Sequence, residues 1–203
     1  MIYKFSSTLI KLYFKLFYRL KVEGLENLPS GGALIAPNHV SFFEPPLICA
    51  ALPEEVEFLA RETLFAHPIL GTLIRLLNAH PIKPGEGDLA TFKLMAEMLT
   101  EGKKVVIFPE GKRSYNGRLL PLQSGAARLS LRTKTPIVPV RIQGAFEVWP
   151  RGRKWPRPFG KSTCTFLPPI YPEPFEALPK SEQARALTKA LLGRLDGSAG
   201  DIP

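Results

Sequence analysis

The sequence has little cysteine, no long apolar run and, in two stretches, almost no acid. Two cysteines among 203 residues are too few for a disulfide framework. Cys49 and Cys164 lie in apolar or strand-like runs, which suits a reducing compartment. No run of 18 apolar residues occurs, so we expect no ordinary transmembrane helix. A hydrophobic fraction of 45% with 22% charged residues is typical of one folded domain and excludes disorder, collagen and coiled coil.

Positive charge is concentrated in two segments. The formal net charge is +9. Residues 1–22 carry five bases and no acid, and residues 111–161 carry twelve bases and one acid, Glu147. Such blocks indicate an anionic partner, which could be a lipid surface, a phosphate-bearing substrate or nucleic acid. Solubility alone is the other interpretation. The chain also has 21 prolines, about twice the usual share.

Residues 2–21 are predicted to form an amphipathic helix. A polar stripe recurs at spacings of three and four, and the rest of the circumference is apolar and aromatic. This pattern favours a helix lying in a membrane interface. We therefore divide the chain into an interfacial helix, 1–22, and a single domain, 23–203. A helix that packs on the core is the alternative, whereas lysines within the apolar run argue against a signal peptide.

Strands and helices alternate along the remaining chain. This alternation predicts an α/β fold with a mainly parallel central sheet flanked by helices. The predicted strands are 33–36, 56–60, 104–108, 136–142 and 163–167. The predicted helices are 45–51, 68–78, 88–100, 122–132 and 181–195.

A histidine and an acid follow the first buried strand. His39 precedes Glu44 by five positions, and Pro45 is expected to keep Glu44 just outside the next helix. If the loop folds back, the carboxylate can fix the imidazole tautomer and leave the other ring nitrogen free to take a proton. A structural histidine with a satisfied hydrogen bond is the other interpretation.

A basic turn follows the strand 104–108. In Phe108–Ser114, Gly111 allows a tight turn, and Lys112 and Arg113 present cations. Arginine can grip a phosphate with two parallel hydrogen bonds. In a parallel sheet this loop would leave at the same edge as His39. A solvated basic loop is the alternative.

Together these segments resemble the glycerophospholipid acyltransferase family, whose best-known members are the 1-acylglycerol-3-phosphate acyltransferases. The family's first block, Asn-His with an acid five residues after the histidine, corresponds to residues 38–44. Its third block, Phe-Pro-Glu-Gly-Thr-Arg-Ser, corresponds to 108–114, and its fourth, an apolar strand with an internal proline, to 137–140. The resemblance covers about residues 20–170.

The resemblance implies a role for each matching residue. His39 would be the general base, and Glu44 would orient it. Acceptor binding would fall to Arg61, Lys83, Glu110, Gly111, Lys112, Arg113 and Ser114. No metal is expected, because the three histidines, at 39, 67 and 80, form no ligand cluster. Acyl-CoA or acyl-carrier protein would be a co-substrate, and no cofactor is expected. Neither cysteine lies beside a motif histidine, so no acyl-cysteine intermediate is expected.

Two departures from the family pattern bear on the substrate. Most members have aspartate where this chain has Glu44. The second block, which ends Val-Asp-Arg in many members, reads Pro81–Gly85 here, with Lys83 as its cation. The implied reaction is acyl transfer to the hydroxyl of lysophosphatidate in phospholipid biosynthesis. Another lysophospholipid acceptor is the alternative within the family.

The implied setting is the cytoplasmic face of the cell membrane, with residues 1–22 as a peripheral contact. No nucleic-acid partner is expected. A non-catalytic binder of anionic lipid or nucleic acid, using the basic segment 111–161, is the rival from another class. A hydrolase that passes the acyl group to water is a third possibility.

Overall fold

The computed structural model describes residues 2–82 and 88–198. Its seven strands are β1 (Lys21–Glu23), β2 (Ala33–Pro37), β3 (Val56–Arg61), β4 (Ala79–Ile82), β5 (Lys104–Val106), β6 (Ile137–Gln143) and β7 (Thr163–Phe166). Its helices are α1 (Ile2–Tyr18), α2 (Glu44–Ala51), α3 (Glu62–Phe65), α4 (Pro68–Leu76), α5 (Asp88–Thr100), α6 (Gly125–Thr133), α7 (Ala145–Val148) and α8 (Lys180–Asp196).

The strands form one sheet in the order β1-β7-β6-β2-β5-β3-β4. Every neighbouring pair is parallel except β6 and β7, which are antiparallel. The predicted α/β class with a mainly parallel sheet is therefore confirmed. The central strand β2 is buried along its whole length, as its uninterrupted apolar sequence predicts.

Helices cover both faces of the sheet. Alternate residues of β2 point to opposite sides, so Ile35 packs with α1 and α2 whereas Leu34 packs with α5, α6 and α8. Each face has its own buried apolar cluster. Every predicted helix is present, with ends that shift by up to three residues.

Two short strands were not predicted, and one predicted strand is shorter. The strands β1 and β4 are the sheet's edges, and β4 contains Pro81, which an edge position tolerates. The strand predicted over 104–108 ends at Val106, so Phe108 already belongs to the loop. Glu44 is the first residue of α2 rather than the residue before it.

The N-terminal helix has three distinct faces. Tyr3, Phe14 and Tyr18 are buried in the cluster that α1 shares with α2. The lysine stripe is exposed, and a third face presents apolar side chains to solvent. The helix ends at Tyr18, and Lys21 already belongs to β1. One face of α1 is thus part of the core, as the alternative interpretation required, while another is left free.

None of the helices in residues 2–82 and 88–198 has both the length and the hydrophobicity needed to span a bilayer.

Candidate active site

Four loops meet at one edge of the sheet because of the strand order. The strands β6, β2, β5 and β3 are adjacent and parallel, so the loops at their carboxyl ends leave side by side. Ligands of open α/β sheets bind at this edge. The loop after β2 carries His39, the loop after β5 carries Arg113, and Arg61 is the last residue of β3.

His39 and Glu44 are hydrogen-bonded through the turn that joins β2 to α2. His39 Nδ1 lies 2.5 Å from Glu44 Oε2, and the side chains are 16% and 0% exposed. The other carboxylate oxygen accepts from the backbone N–H groups of Val40 and Ser41, at 2.7 and 2.9 Å. All three contacts lie within one short turn, which fixes the orientation of the carboxylate. His39 Nε2 has no hydrogen-bond partner among the described residues.

The loop after β5 holds the histidine from the other side. Glu110 Oε1 accepts from the backbone N–H of His39 at 2.5 Å, and its second oxygen accepts from the N–H of Leu120 at 2.7 Å. Ser114 N–H donates to the carbonyl of His39 at 2.8 Å. The Phe108 ring stacks on the imidazole with centroids 3.9 Å apart. These contacts fix both the backbone and the ring plane of His39.

The strand β6 and the segment after it complete the support. Asn38 Nδ2 donates to the carbonyl of Ile142, and its Oδ1 accepts from the N–H of the same residue. Ser41 Oγ donates to the carbonyl of Trp149 at 2.8 Å. Asn38 therefore ties the loop that carries His39 to the neighbouring strand β6.

A guanidinium group lies next to the histidine and forms no ion pair with any residue that the structure describes. Arg113 Cζ lies 3.5 Å from the centroid of the Phe42 ring, and its Nη1 is buried with no hydrogen-bond partner. Arg151 Nη1 donates to the carbonyl of Arg113 at 3.4 Å, and its guanidinium lies over the Tyr115 ring at 4.0 Å. Clustered cations beside a guanidinium nitrogen without a hydrogen-bond partner are typical of an anion site.

Comparison with known proteins agrees with this geometry. A family model described as Acyltransferase matches residues 19–143, which include all the residues of the His39 and Arg113 loops. The chain belongs to the acyltransferase family. The resemblance inferred from residues 38–44, 108–114 and 137–140 is confirmed.

Relatives of this acyltransferase-family chain carry a common name. A 1-acyl-sn-glycerol-3-phosphate acyltransferase of Bacillus subtilis is 30% identical over 195 residues, covering 95% of this chain and 94% of its own length. A chloroplastic protein of the same name from Brassica napus is 29% identical over 83% of this chain. The chain spans about half the length of the chloroplastic relatives it matches, 51% and 44%.

A solved structure has the same fold. The 1-acyl-sn-glycerophosphate acyltransferase of Thermotoga maritima superposes with a TM-score of 0.74 and 26% sequence identity. The match covers 98% of this chain and 77% of that protein.

Burial sets the protonation of the acyltransferase's His–Glu pair. Desolvation, then the Arg113 charge, lowers the pKa of His39 to about 4. Desolvation raises the pKa of Glu44 to about 8, against the effect of the two backbone hydrogen bonds. Groups this close titrate as one unit. Between about pH 4 and about pH 8 the pair therefore holds one proton more than a neutral imidazole with an ionised carboxylate. Only the form that has lost this extra proton has a free lone pair on Nε2.

Arg113 stays positively charged beside this pair. Burial lowers the pKa of its guanidinium, and repulsion from Arg151 and Arg61 acts in the same direction, while Glu44 opposes them. An arginine titrates far above neutral pH, so these shifts leave its charge intact. An incoming dianion would relieve the mutual repulsion of the three cations.

The predicted substrate-binding residues differ in what they contact. Glu110 and Ser114 are buried, and their polar atoms are engaged by the protein, which is typical of residues that position the loop. Gly111 has φ +69°, the left-handed conformation its turn requires. Lys112 is exposed at the same edge. Lys83 lies outside the described residues.

Three supporting residues were not predicted from the sequence. Phe42 and Arg151 carry no signal of their own, because an aromatic residue or an arginine in a loop fits many roles. Phe108 begins the matched block 108–114, but the motif does not reveal that its ring stacks on His39. Cys49 and Cys164 are both buried in the core, away from these loops. Burial raises the pKa of Cys49 to about 12.

Proposed function

We propose that this protein transfers a fatty acyl group from an acyl thioester to the free hydroxyl of lysophosphatidate. The observation that carries the proposal is the fixed His39–Glu44 hydrogen bond beside a buried guanidinium nitrogen without a partner, Arg113 Nη1. One group removes a proton and the other attracts a phosphate. The names of the Bacillus subtilis and chloroplastic relatives support the same acceptor.

Catalysis proceeds through general-base attack. Glu44 holds the proton of His39 on Nδ1, so Nε2 takes the proton of the acceptor hydroxyl. The hydroxyl oxygen attacks the thioester carbonyl, and the tetrahedral intermediate collapses with loss of the thiolate. The imidazolium then returns its proton to that sulfur. The products are an ester and a free thiol, and the pair is restored to its starting protonation.

Arg113 is the residue we assign to the acceptor phosphate. Its ring contact with Phe42 fixes the guanidinium plane, and its buried Nη1 is still free to donate. Arg61 and Lys112, at the same edge, add positive charge. Binding the phosphate here leaves the glycerol hydroxyl within reach of His39, which is what proximity catalysis requires.

The lipid substrates place this edge against a membrane. On α1, exposed apolar side chains lie beside the lysine stripe, with Phe5 67% and Leu16 65% exposed. The neighbouring helix α4 exposes Ile69 and Leu73. A helix with these faces lies in the plane of an interface, with rings at the headgroup level. In this proposal α1 rests on the cytoplasmic face of the cell membrane.

The experiment is an acceptor panel with a radiolabelled acyl donor. The purified protein is given lysophosphatidate, glycerol 3-phosphate or lysophosphatidylcholine, with acyl-CoA and acyl-carrier protein compared as donors. The proposal expects labelled phosphatidate from lysophosphatidate at a rate at least about tenfold above the others. Preference for another lysolipid would show that the acceptor is a different lysophospholipid, which is the alternative left open by the changed second block at residues 81–85. Thiol release that does not depend on any acceptor would indicate a hydrolase instead.

A further inference from the structure

The proline-rich segment at residues 150–161, called here the 150–161 loop, has an unusual surface. It carries five cations and no acid, namely Arg151, Arg153, Lys154, Arg157 and Lys161. Among the described residues none of these five forms an ion pair. Trp155 and Phe159 lie among these cations along the chain, and they are 70% and 67% exposed. Large exposed aromatics mark a binding surface when they form a patch.

The loop is fastened to the end of α1. Tyr18 Oη donates to the carbonyl of Arg157 at 2.9 Å, and Gly160 N–H donates to the carbonyl of Phe17 at 3.1 Å. The rings of Phe17 and Phe159 stack with centroids 5.8 Å apart. A Cβ at Gly160 would lie 2.5 Å from Val148 Cγ2, so the packing leaves no room for a side chain there. Helix and loop therefore present one continuous surface.

A shallow cleft of about 520 Å³ lies between the helix and the loop. Arg19 and Lys161 contribute two cations to its lining. The remaining lining residues are Leu16, Phe17, Phe159 and Gly160. A ligand that fits must carry negative charge on one end and hydrocarbon on the other. An anionic phospholipid of the bilayer surface has this chemistry.

The other end of the loop reaches the sheet edge where the His39 and Arg113 loops lie, called here the catalytic edge. Arg151 donates to the carbonyl of Arg113, and Ser41 Oγ donates to the carbonyl of Trp149, just before the loop begins. The basic loop thus connects the end of α1 to the loop that carries Arg113. An element that binds the bilayer at one end would hold the site against it at the other.

We propose that the 150–161 loop is a second membrane-docking element, which binds anionic phospholipid together with α1 and sets the catalytic edge against the bilayer. The inference rests on the proposed function only in taking the acceptor to be a membrane lipid. Phosphates of nucleic acid would satisfy the cations but not the apolar face of α1 that continues into the Phe17–Phe159 stack, so a bilayer is the better match.

The charge arm of the test compares two triple variants of the full chain. Binding to vesicles of phosphatidylcholine with 30% phosphatidylglycerol is measured by sedimentation. The loop variant carries Arg153→Gln, Lys154→Gln and Arg157→Gln. The control carries Arg128→Gln, Arg132→Gln and Arg185→Gln, which removes the same charge from exposed positions of α6 and α8 on the opposite face.

Removing three membrane-facing cations should weaken binding on the order of 100-fold, from about fivefold for each cation. The control should change it less than about threefold, and 0.5 M salt should shrink the difference. Equal losses in the two variants would show that net charge alone matters and would overturn the inference. Loss of single-stranded nucleic-acid binding by the loop variant, with vesicle binding intact, would overturn it too.

The aromatic arm uses one of the chain's two tryptophans as its own probe. On vesicles containing brominated lipid, Trp155 fluorescence should be quenched and shifted to the blue. A Trp155→Phe variant keeps the apolar contact, so it should bind equally but lose most of that quenching. Wild-type quenching no stronger than that of the variant would show that Trp155 does not enter the bilayer and would refute the proposal.

Turnover separates this inference from the proposed function. With short-chain lysophosphatidate dissolved as monomers, the loop variant should retain its rate within about twofold. On vesicle-borne acceptor its rate should fall in step with binding. No acyl transfer by wild type in either format would refute the proposed function, whereas the vesicle measurements would still decide the docking surface.

Discussion

Glu44→Gln removes one charge from the His–Glu pair while keeping the side chain's shape. The geometry limits how the amide can lie. Glu44 Oε1 accepts from two backbone N–H groups, those of Val40 and Ser41. An NH₂ group at that position would leave two buried donors unsatisfied, at a cost of about 1–3 kcal/mol each. We therefore expect the amide oxygen to stay there and the NH₂ group to face His39.

That orientation puts the histidine in the wrong tautomer. An NH₂ group beside Nδ1 makes this nitrogen the acceptor, and the ring proton moves to Nε2, which can no longer take a proton from the substrate. The corresponding Asp→Asn change in Ser-His-Asp hydrolases lowers turnover about 10⁴-fold for the same reason. We expect Glu44→Gln to lower kcat by about 10³- to 10⁴-fold, or about 4–5 kcal/mol in the barrier.

The assay is initial-rate transfer of labelled acyl group from acyl-CoA to lysophosphatidate. A matched control exists in the second histidine–glutamate pair, where His80 Nε2 lies 2.7 Å from Glu57 Oε2 on β4 and β3. Glu57→Gln makes the same chemical change away from the catalytic edge and should leave kcat within about twofold. A Glu44→Gln enzyme that keeps its rate within about tenfold, with an unchanged melting temperature, would refute the tautomer reasoning.

Three further predictions follow from the site and the helix. Burial raises the pKa of Glu44 to about 8 and lowers that of His39 to about 4, so the proton that blocks Nε2 leaves only near pH 8. The pH profile of kcat/KM should rise about tenfold per pH unit below that value and level off above it; a flat profile from pH 6 to 9 would contradict this. Arg113→Lys replaces a planar fork by a point charge and should raise the KM for lysophosphatidate about tenfold with kcat nearly unchanged; an unchanged KM in steady-state kinetics would remove Arg113 from the phosphate site. Phe5→Ser with Leu16→Ser should weaken sedimentation with vesicles at least about tenfold without lowering the melting temperature, since both side chains are exposed; binding equal to wild type would rule out this face as the membrane contact.

The middle of the sheet could be predicted from sequence, and its edges could not. The strand β2 is a short, uninterrupted apolar run that must be buried on both sides, and the apolar run around β5 has the same character. In contrast, β1 has three residues and β4 contains Pro81. Such edge strands are stabilised by pairing with β7 and β3 rather than by a pattern of their own. Propensity over a few half-exposed residues cannot reveal that pairing.

The site shows the same division between local and distant signals. His39, Glu44 and Arg113 could be predicted because each lies in a short motif whose chemistry is legible from residue type and spacing. Arg151 could not, since its contact with Arg113 joins positions 38 apart and forms only when the loops after β5 and β6 come together. Glu110 was assigned to the substrate from its motif, yet its carboxylate is engaged by backbone donors.

The N-terminal helix was predicted as a separate interfacial element, whereas in the structure one of its faces also packs in the core. Periodicity separates a polar stripe from an apolar face, but it cannot divide a wide apolar face into buried and free parts. That division depends on where α2 lies. Tyr3 and Phe14 pack against it, whereas Leu9 and Leu12 face outward.

The proposed mechanism makes His39 the base that activates the acceptor hydroxyl. Its most direct test is His39→Ala in the lysophosphatidate assay, with the folded state checked by circular dichroism and membrane attachment by vesicle sedimentation. We expect a loss of turnover of about 10³-fold with vesicle binding unchanged. Turnover within tenfold of wild type by a folded His39→Ala protein would contradict it.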